Sequence, residues 1–182
     1  MKYQKTTLNN GLRIILAPMQ EAETVTVMVM TGVGSRYESK KENGIAHFLE
    51  HMMFKGTEKR PTAHDISKEL DGIGAEYNAF TGKEYTGYYA KVAATHAETA
   101  LDVVSDIFMN AKLEQAEIDR ERGTILQELN MYEDMPMRHI NDLWEMHLYG
   151  DHPLGWEIIG TKEKIGSFKR ADFVKYLRRG YV

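Results

Sequence analysis

Residues 43–57 read Asn-Gly-Ile-Ala-His-Phe-Leu-Glu-His-Met-Met-Phe-Lys-Gly-Thr. Between Gly44 and Gly56 nothing breaks a helix, so Ile45 to Phe54 is predicted helical with Asn43 as its N-cap. Ile45, Ala46, Phe48, Leu49, Met52, Met53 and Phe54 make that helix apolar nearly all round, which predicts burial. Three residues sit oddly in such a helix: His47, Glu50 and His51. Positions four apart share a helical face, so both imidazoles can converge on one ion. Glu50, on the adjacent edge, can reach a water on that ion without becoming a ligand. Two histidines and a carboxylate in a buried helix are costly without a partner, and a metal ion is such a partner. A solvated helix that merely carries two histidines does not fit the apolar flanks.

On the N-terminal side, residues 3–8 and 12–18 alternate as two short strands joined by Asn9-Asn10-Gly11, an Asn-Gly hairpin signal. Thr24–Thr31 is β-branched and uncharged throughout, as a central strand would be. On the C-terminal side, Pro61-Thr62 opens a helix over 63–73, closed by Gly74. Strands are predicted at 75–81 and 84–92, a hairpin around Gly82-Lys83. Helices are predicted over 96–110, 114–134, 137–149 and 171–179. Trp144, with Tyr149 and Trp156, is expected to pack the helix and loop that follow Pro136. The order predicts an α+β fold, a mainly antiparallel sheet with helices packed on one face. The chain reads as a single domain over 1–182.

Composition narrows the chemistry. The chain has 182 residues and no cysteine, which removes thiolate nucleophiles and Cys-ligated zinc and leaves His, Asp and Glu as ligands. A net charge of −4, with Lys and Arg scattered, offers nothing to nucleic acid. The longest apolar run, Val25 to Met30, is too short to span a bilayer. Met1-Lys2-Tyr3-Gln4-Lys5 leads directly into strand-like residues without a signal core, so no membrane association and a cytoplasmic location are expected. The remaining histidines, His64, His96, His139, His147 and His152, have no paired acid and are read as surface residues.

A third metal ligand must come from elsewhere. Glu114, Glu117, Glu121, Glu128 and Glu133 all lie on the later acidic helix, and spacing alone does not choose among them. Glu121 and Glu128, seven apart beside Ile125 and Leu129, share a face.

The H-x-x-E-H order of His47 to His51 mirrors the H-E-x-x-H zincin motif and is the inverzincin arrangement. With LNNGLRIIL, NGIAHFLEHMMFKGT, GAEYNAFTGKEYTGYYAKV, ERGTILQELNMYEDMP and DHPLGWEIIGT in order, the chain resembles the zinc peptidases that include pitrilysin, insulin-degrading enzyme and the mitochondrial processing peptidase. The resemblance covers essentially the whole chain. It implies Zn2+ as cofactor, Glu128, 77 residues after His51, as the distal ligand, and Glu121 as a supporting acid that holds a ligating imidazole. It also implies that the strand around Asn78, Ala79 and Phe80 offers its edge to an extended peptide or polypeptide substrate. Members of this family have two similar halves. This chain corresponds to the metal-binding half, ending before that half's last strand and helix. A second half, on the same full-length chain, a separate subunit or a homodimer partner, is the implied partner, and the chain alone is expected to be inactive. The implied activity is zinc endopeptidase, with Glu50 as general base. Non-catalytic partner subunits of the same family are the alternative, but they lose part of the H-x-x-E-H motif, which is intact here. A zinc that only stabilises the fold would need a fourth protein ligand in place of water.

Overall fold

The computed structural model describes residues 2–181. Two strands, β1 (Gln4–Thr7) and β2 (Arg13–Leu16), form a separate antiparallel hairpin that is exposed along its length. The main sheet is antiparallel and contains β3 (Thr24–Thr31), β4 (Glu76–Thr81) and β5 (Thr86–Ala93) in the order β3-β5-β4. Among the described residues seven α-helices complete the fold: α1 (Ile45–Met53), α2 (Ala63–Gly72), α3 (Ala97–Asn110), α4 (Gln115–Glu133), α5 (Pro136–Tyr149), α6 (Lys162–Ser167) and α7 (Arg170–Gly180). Among the described residues no helix is long and apolar enough to cross a membrane. The expected mixture of antiparallel sheet and helices is what forms.

Register aligns one row of apolar side chains across the sheet. Val25 faces Val92, Val27 faces Ala90 and Val29 faces Tyr88, while Tyr77 and Ala79 continue the row from β4. Side chains alternate between faces in a strand, so these residues all point to the side on which α1, α2 and α3 pack. Behind them α1 meets α4 and α7. Phe48 of α1 is fully buried, its ring 4.9 Å from that of Phe173 on α7 and edge-on to Phe168. The apolar circumference of α1 is thus covered by sheet on one side and helices on the other.

Three expectations are corrected. Among the described residues β3 is an edge strand, and β5 is central. Val25, Val27 and Val29 are partly buried while Met28 and Met30 are exposed. An uncharged run of Thr and Met looks like a strand covered on both faces, but only the valine face is covered. Asn43 is not the N-cap of α1. Gly44 holds that position at φ 94, without a side-chain cap of its own. Nor do Trp144 and Tyr149 pack the helix: they are exposed, Trp144 to 61%, and only Trp156 holds the loop, its Nε1 donating to Asp151. The short helix α6 was also unforeseen. Its cap, Thr161 accepting from Lys164 N–H, is a legible start signal hidden in a stretch rich in Lys and Gly.

Candidate metal centre

The site lies where α1 meets α4. The first turn of α1 carries His47, and His51 follows four residues on, one turn later on the same face, so the two rings stand 4.8 Å apart between centroids. Glu128, on α4, inserts its carboxylate between them. Oε1 is 3.6 Å from His47 Nε2 and Oε2 is 3.4 Å from His51 Nε2. The side chains are 12%, 22% and 19% exposed respectively, so one open side remains. Of the acids that spacing left open on the later helix, Glu128 is the one that completes a group able to hold a metal ion.

The donor set fits zinc. Ligands at about 2.0–2.1 Å in a tetrahedral site are separated from one another by about 3.4 Å, and both imidazole–carboxylate separations lie close to that. Two imidazoles and one carboxylate leave a fourth position for water. His47, His51 and Glu128 are the residues that would hold the ion.

Further contacts orient these ligands, unequally. His51 Nδ1 is 2.9 Å from Glu121 Oε1. A carboxylate can only accept there, so Nδ1 carries a proton and Nε2 is the nitrogen that faces Glu128. Glu121 is itself held by Lys55 Nζ at 2.6 Å. Tyr132 donates to Glu128 Oε1, and the Arg138 guanidinium lies over the Tyr132 ring. His47 lacks such support: its Nδ1 is buried and, among the described residues, without a hydrogen-bond partner.

Electrostatics follow the same pattern in the metal-free protein. Burial lowers the His51 pKa, but the Glu121 and Glu128 carboxylates outweigh it and push the ring up to about 9. Burial raises the Glu128 carboxyl; His47, His51 and the Tyr132 hydroxyl pull it far below the usual carboxylate range. Glu121 is likewise held low against burial by His51 and Lys55. A cationic imidazole thus sits among carboxylates, and a metal ion entering the site would displace the Nε2 proton of His51.

Glu50 stands apart from the ligand set. Thr81 Oγ1, from the end of β4, donates to Glu50 Oε2 at 2.5 Å, leaving the other carboxylate oxygen available. Strand β4 is a free edge of the sheet among the described residues. Gly82 N–H bonds Tyr85 C=O at 2.8 Å, so by antiparallel alternation the outward-facing backbone groups belong to Thr81, Ala79 and Tyr77. Ala79 lies on the α1 side of the sheet; Asn78 and Phe80 point to the opposite face. Asn78 Oδ1 accepts from Ala79 N–H at 2.9 Å, and the Phe80 ring covers Gly87 across the pair.

Sequence reasoning missed Lys55, Thr81 and Tyr132. Tyr132 lies four residues after Glu128 on α4, so helical spacing could have found it, whereas Lys55 lies past the end of α1 and reaches Glu121 only in the fold. Nothing in the sequence singles out Thr81, which reaches Glu50 only through the packing of β4 beside α1.

Comparison with known proteins agrees with this arrangement. Residues 13–162 match the family described as Insulinase (Peptidase family M16). The chain is 42% identical over 179 residues to the uncharacterized zinc protease YmxG of Bacillus subtilis, covering 98% of this chain and 44% of that protein. It is 42% identical over 177 residues to a probable mitochondrial-processing peptidase subunit beta of Arabidopsis thaliana, covering 97% of this chain and 33% of that protein. The crystal structure of a protease from Helicobacter pylori superposes with a TM-score of 0.90 at 27% identity, over 96% of this chain and 42% of that one. The chain therefore spans less than half the length of these relatives. On sequence and fold together, this chain belongs to peptidase family M16, the insulinase family.

Proposed function

We propose that the chain is the metal-binding half of a zinc endopeptidase that acts on extended peptides or unfolded polypeptide segments. The observation that carries this reading is the convergence of His47, His51 and Glu128 with Glu50 beside them and a free strand edge within reach. Zinc bound there would supply Lewis acidity and lower the pKa of a bound water to about 7. Glu50 takes the proton from the attacking water and returns it to the leaving amine. Thr81, by holding one carboxylate oxygen of Glu50, keeps the other turned to that task. A substrate adding as a strand along β4 pairs with the outward backbone groups of Ala79 and Thr81, which fixes its path without reading its side chains. In this arrangement Asn78 must release the Ala79 N–H when a peptide carbonyl takes it. Relatives more than twice as long, with solved structures to match, support a second half as the partner that encloses the substrate.

Glu50→Gln in the full-length enzyme is the test. Zinc content should stay at one per site while hydrolysis of an unstructured peptide falls by at least a thousandfold. A variant that keeps near-wild-type turnover would overturn Glu50 as the base, and a wild-type protein that takes up no zinc would overturn the whole reading.

A further inference from the structure

We propose that Glu38 is a positioning residue for the metal centre: it fixes the first turn of α1 and, through it, His47. The inference rests on His47 being a metal ligand, as argued above. Glu38 is 3% exposed and lies just beyond the 3₁₀ turn at Ser35–Tyr37, nine residues before His47 in sequence. Its carboxylate straddles the start of α1. Oε1 accepts from Ala46 N–H and Oε2 from Gly44 N–H, both at 2.9 Å, and Oε2 is also 3.3 Å from Asn43 Nδ2. The first turn of a helix has no carbonyls behind it to receive its N–H groups. Here a buried carboxylate from outside the helix does so, where its negative charge also meets the positive helix end.

This cap matters for His47 more than for His51. His51 is in the last turn of α1 and is aimed by Glu121. His47 is the third residue of α1, within the turn Glu38 holds, and among the described residues its Nδ1 has no partner to aim the ring. Its direction therefore depends on the backbone beneath it. That backbone is clamped on the other side as well. Asn43 Nδ2 donates to the Glu157 carbonyl at 2.9 Å, and Gly44 and Gly160 cross so closely that a Cβ on either would sit 2.5–2.6 Å from the other strand of backbone. Gly44 also needs its left-handed φ of 94, so this joint tolerates only glycine. Glu38 supplies the polar half of a joint whose other half is steric.

The test uses the full-length enzyme, with zinc affinity measured by competition against a chromophoric chelator and the absorption spectrum of the Co2+-substituted protein recorded at saturation. Glu38→Gln is nearly isosteric but turns an amide NH2 toward a backbone N–H. Glu38→Asp keeps the charge and withdraws it. Both should weaken zinc binding by about 10–100-fold, the range for residues that orient a metal-ligating histidine, and both should change the Co2+ spectrum. Leu70→Ala, a core change on α2, serves as the control for general destabilisation and should leave affinity within twofold. Glu38 variants that bind zinc like wild type, or that lose no more affinity than the Leu70→Ala control, would refute the proposal. His47→Ala separates the two claims: if it too binds zinc like wild type, the ligand assignment fails and not merely the role of Glu38.

Discussion

Glu121 offers a measure of how much the proposed metal centre owes to a residue outside its ligand set. Its side chain is 7% exposed, with His51 Nδ1 at 2.9 Å on one oxygen and Lys55 Nζ at 2.6 Å on the other. Glu121→Gln preserves the shape and an acceptor oxygen but removes the charge. A hydrogen bond to a charged group contributes about 1.5–3 kcal/mol and a neutral one about 0.5–1.5 kcal/mol. The His51 contact should therefore weaken by about 1–1.5 kcal/mol. Because that contact sets which nitrogen of His51 faces the ion, most of the loss should appear in metal binding, where 1.4 kcal/mol is about tenfold in Kd. Chelator competition on the full-length enzyme reads this directly, and thermal unfolding in excess chelator shows separately how far the metal-free fold has suffered. Lys55→Met, which leaves the charged Glu121–His51 contact in place, should cost less affinity than Glu121→Gln. If Glu121→Gln binds zinc within twofold of wild type while folding normally, the argument that Glu121 orients His51 is wrong.

Two further predictions concern stability. Arg60 is 3% exposed and bonds Asp106, Asp102 and Glu69 while Thr57 also holds Asp106; Arg60→Ala strands Asp106 in the interior and should cost about 3–5 kcal/mol in denaturant unfolding, whereas a loss below about 1 kcal/mol would show the network to be ornamental. In excess chelator, stability should decline from mildly acidic to alkaline pH. His51 is raised to about 9 in the fold, so its contribution is complete below its unfolded value of about 6.5 and is lost as pH rises through 9. Glu38, which burial pushes up to about 7 against its backbone hydrogen bonds, adds an earlier loss, because the unfolded chain ionises it from about 4.5 upward while the fold resists. Melting temperatures measured from pH 5 to 9 should fall across both windows, and a curve that rises over this range would contradict the assignment of both groups.

Much of the site was legible because its chemistry is local. His47, Glu50 and His51 declare themselves by helical spacing within five residues, and the apolar flanks announce burial. Glu128 was different. The pattern on α4 narrowed the choice to a shared face, and only the family resemblance picked one acid from it. The capping of α1 was misread for a related reason: Asn43 fits the local rule, but Glu38, reaching in from an earlier turn, satisfies the same N–H groups better and frees Asn43 to hold the Glu157 carbonyl. The edge position of β3 was hidden because residue type reports hydrophobicity and not which face meets solvent.

The all-round apolar character of α1 has a consequence during synthesis. The sheet strands β4 and β5 that cover one side of it emerge later, and Phe173, which packs on Phe48, follows 125 residues behind. At translation rates of about 5–20 residues per second, roughly 6–25 s pass between the two aromatic partners. The strands close one side of α1 early in that interval, so the face that Phe48 turns toward α7 is the last part of the helix to be covered.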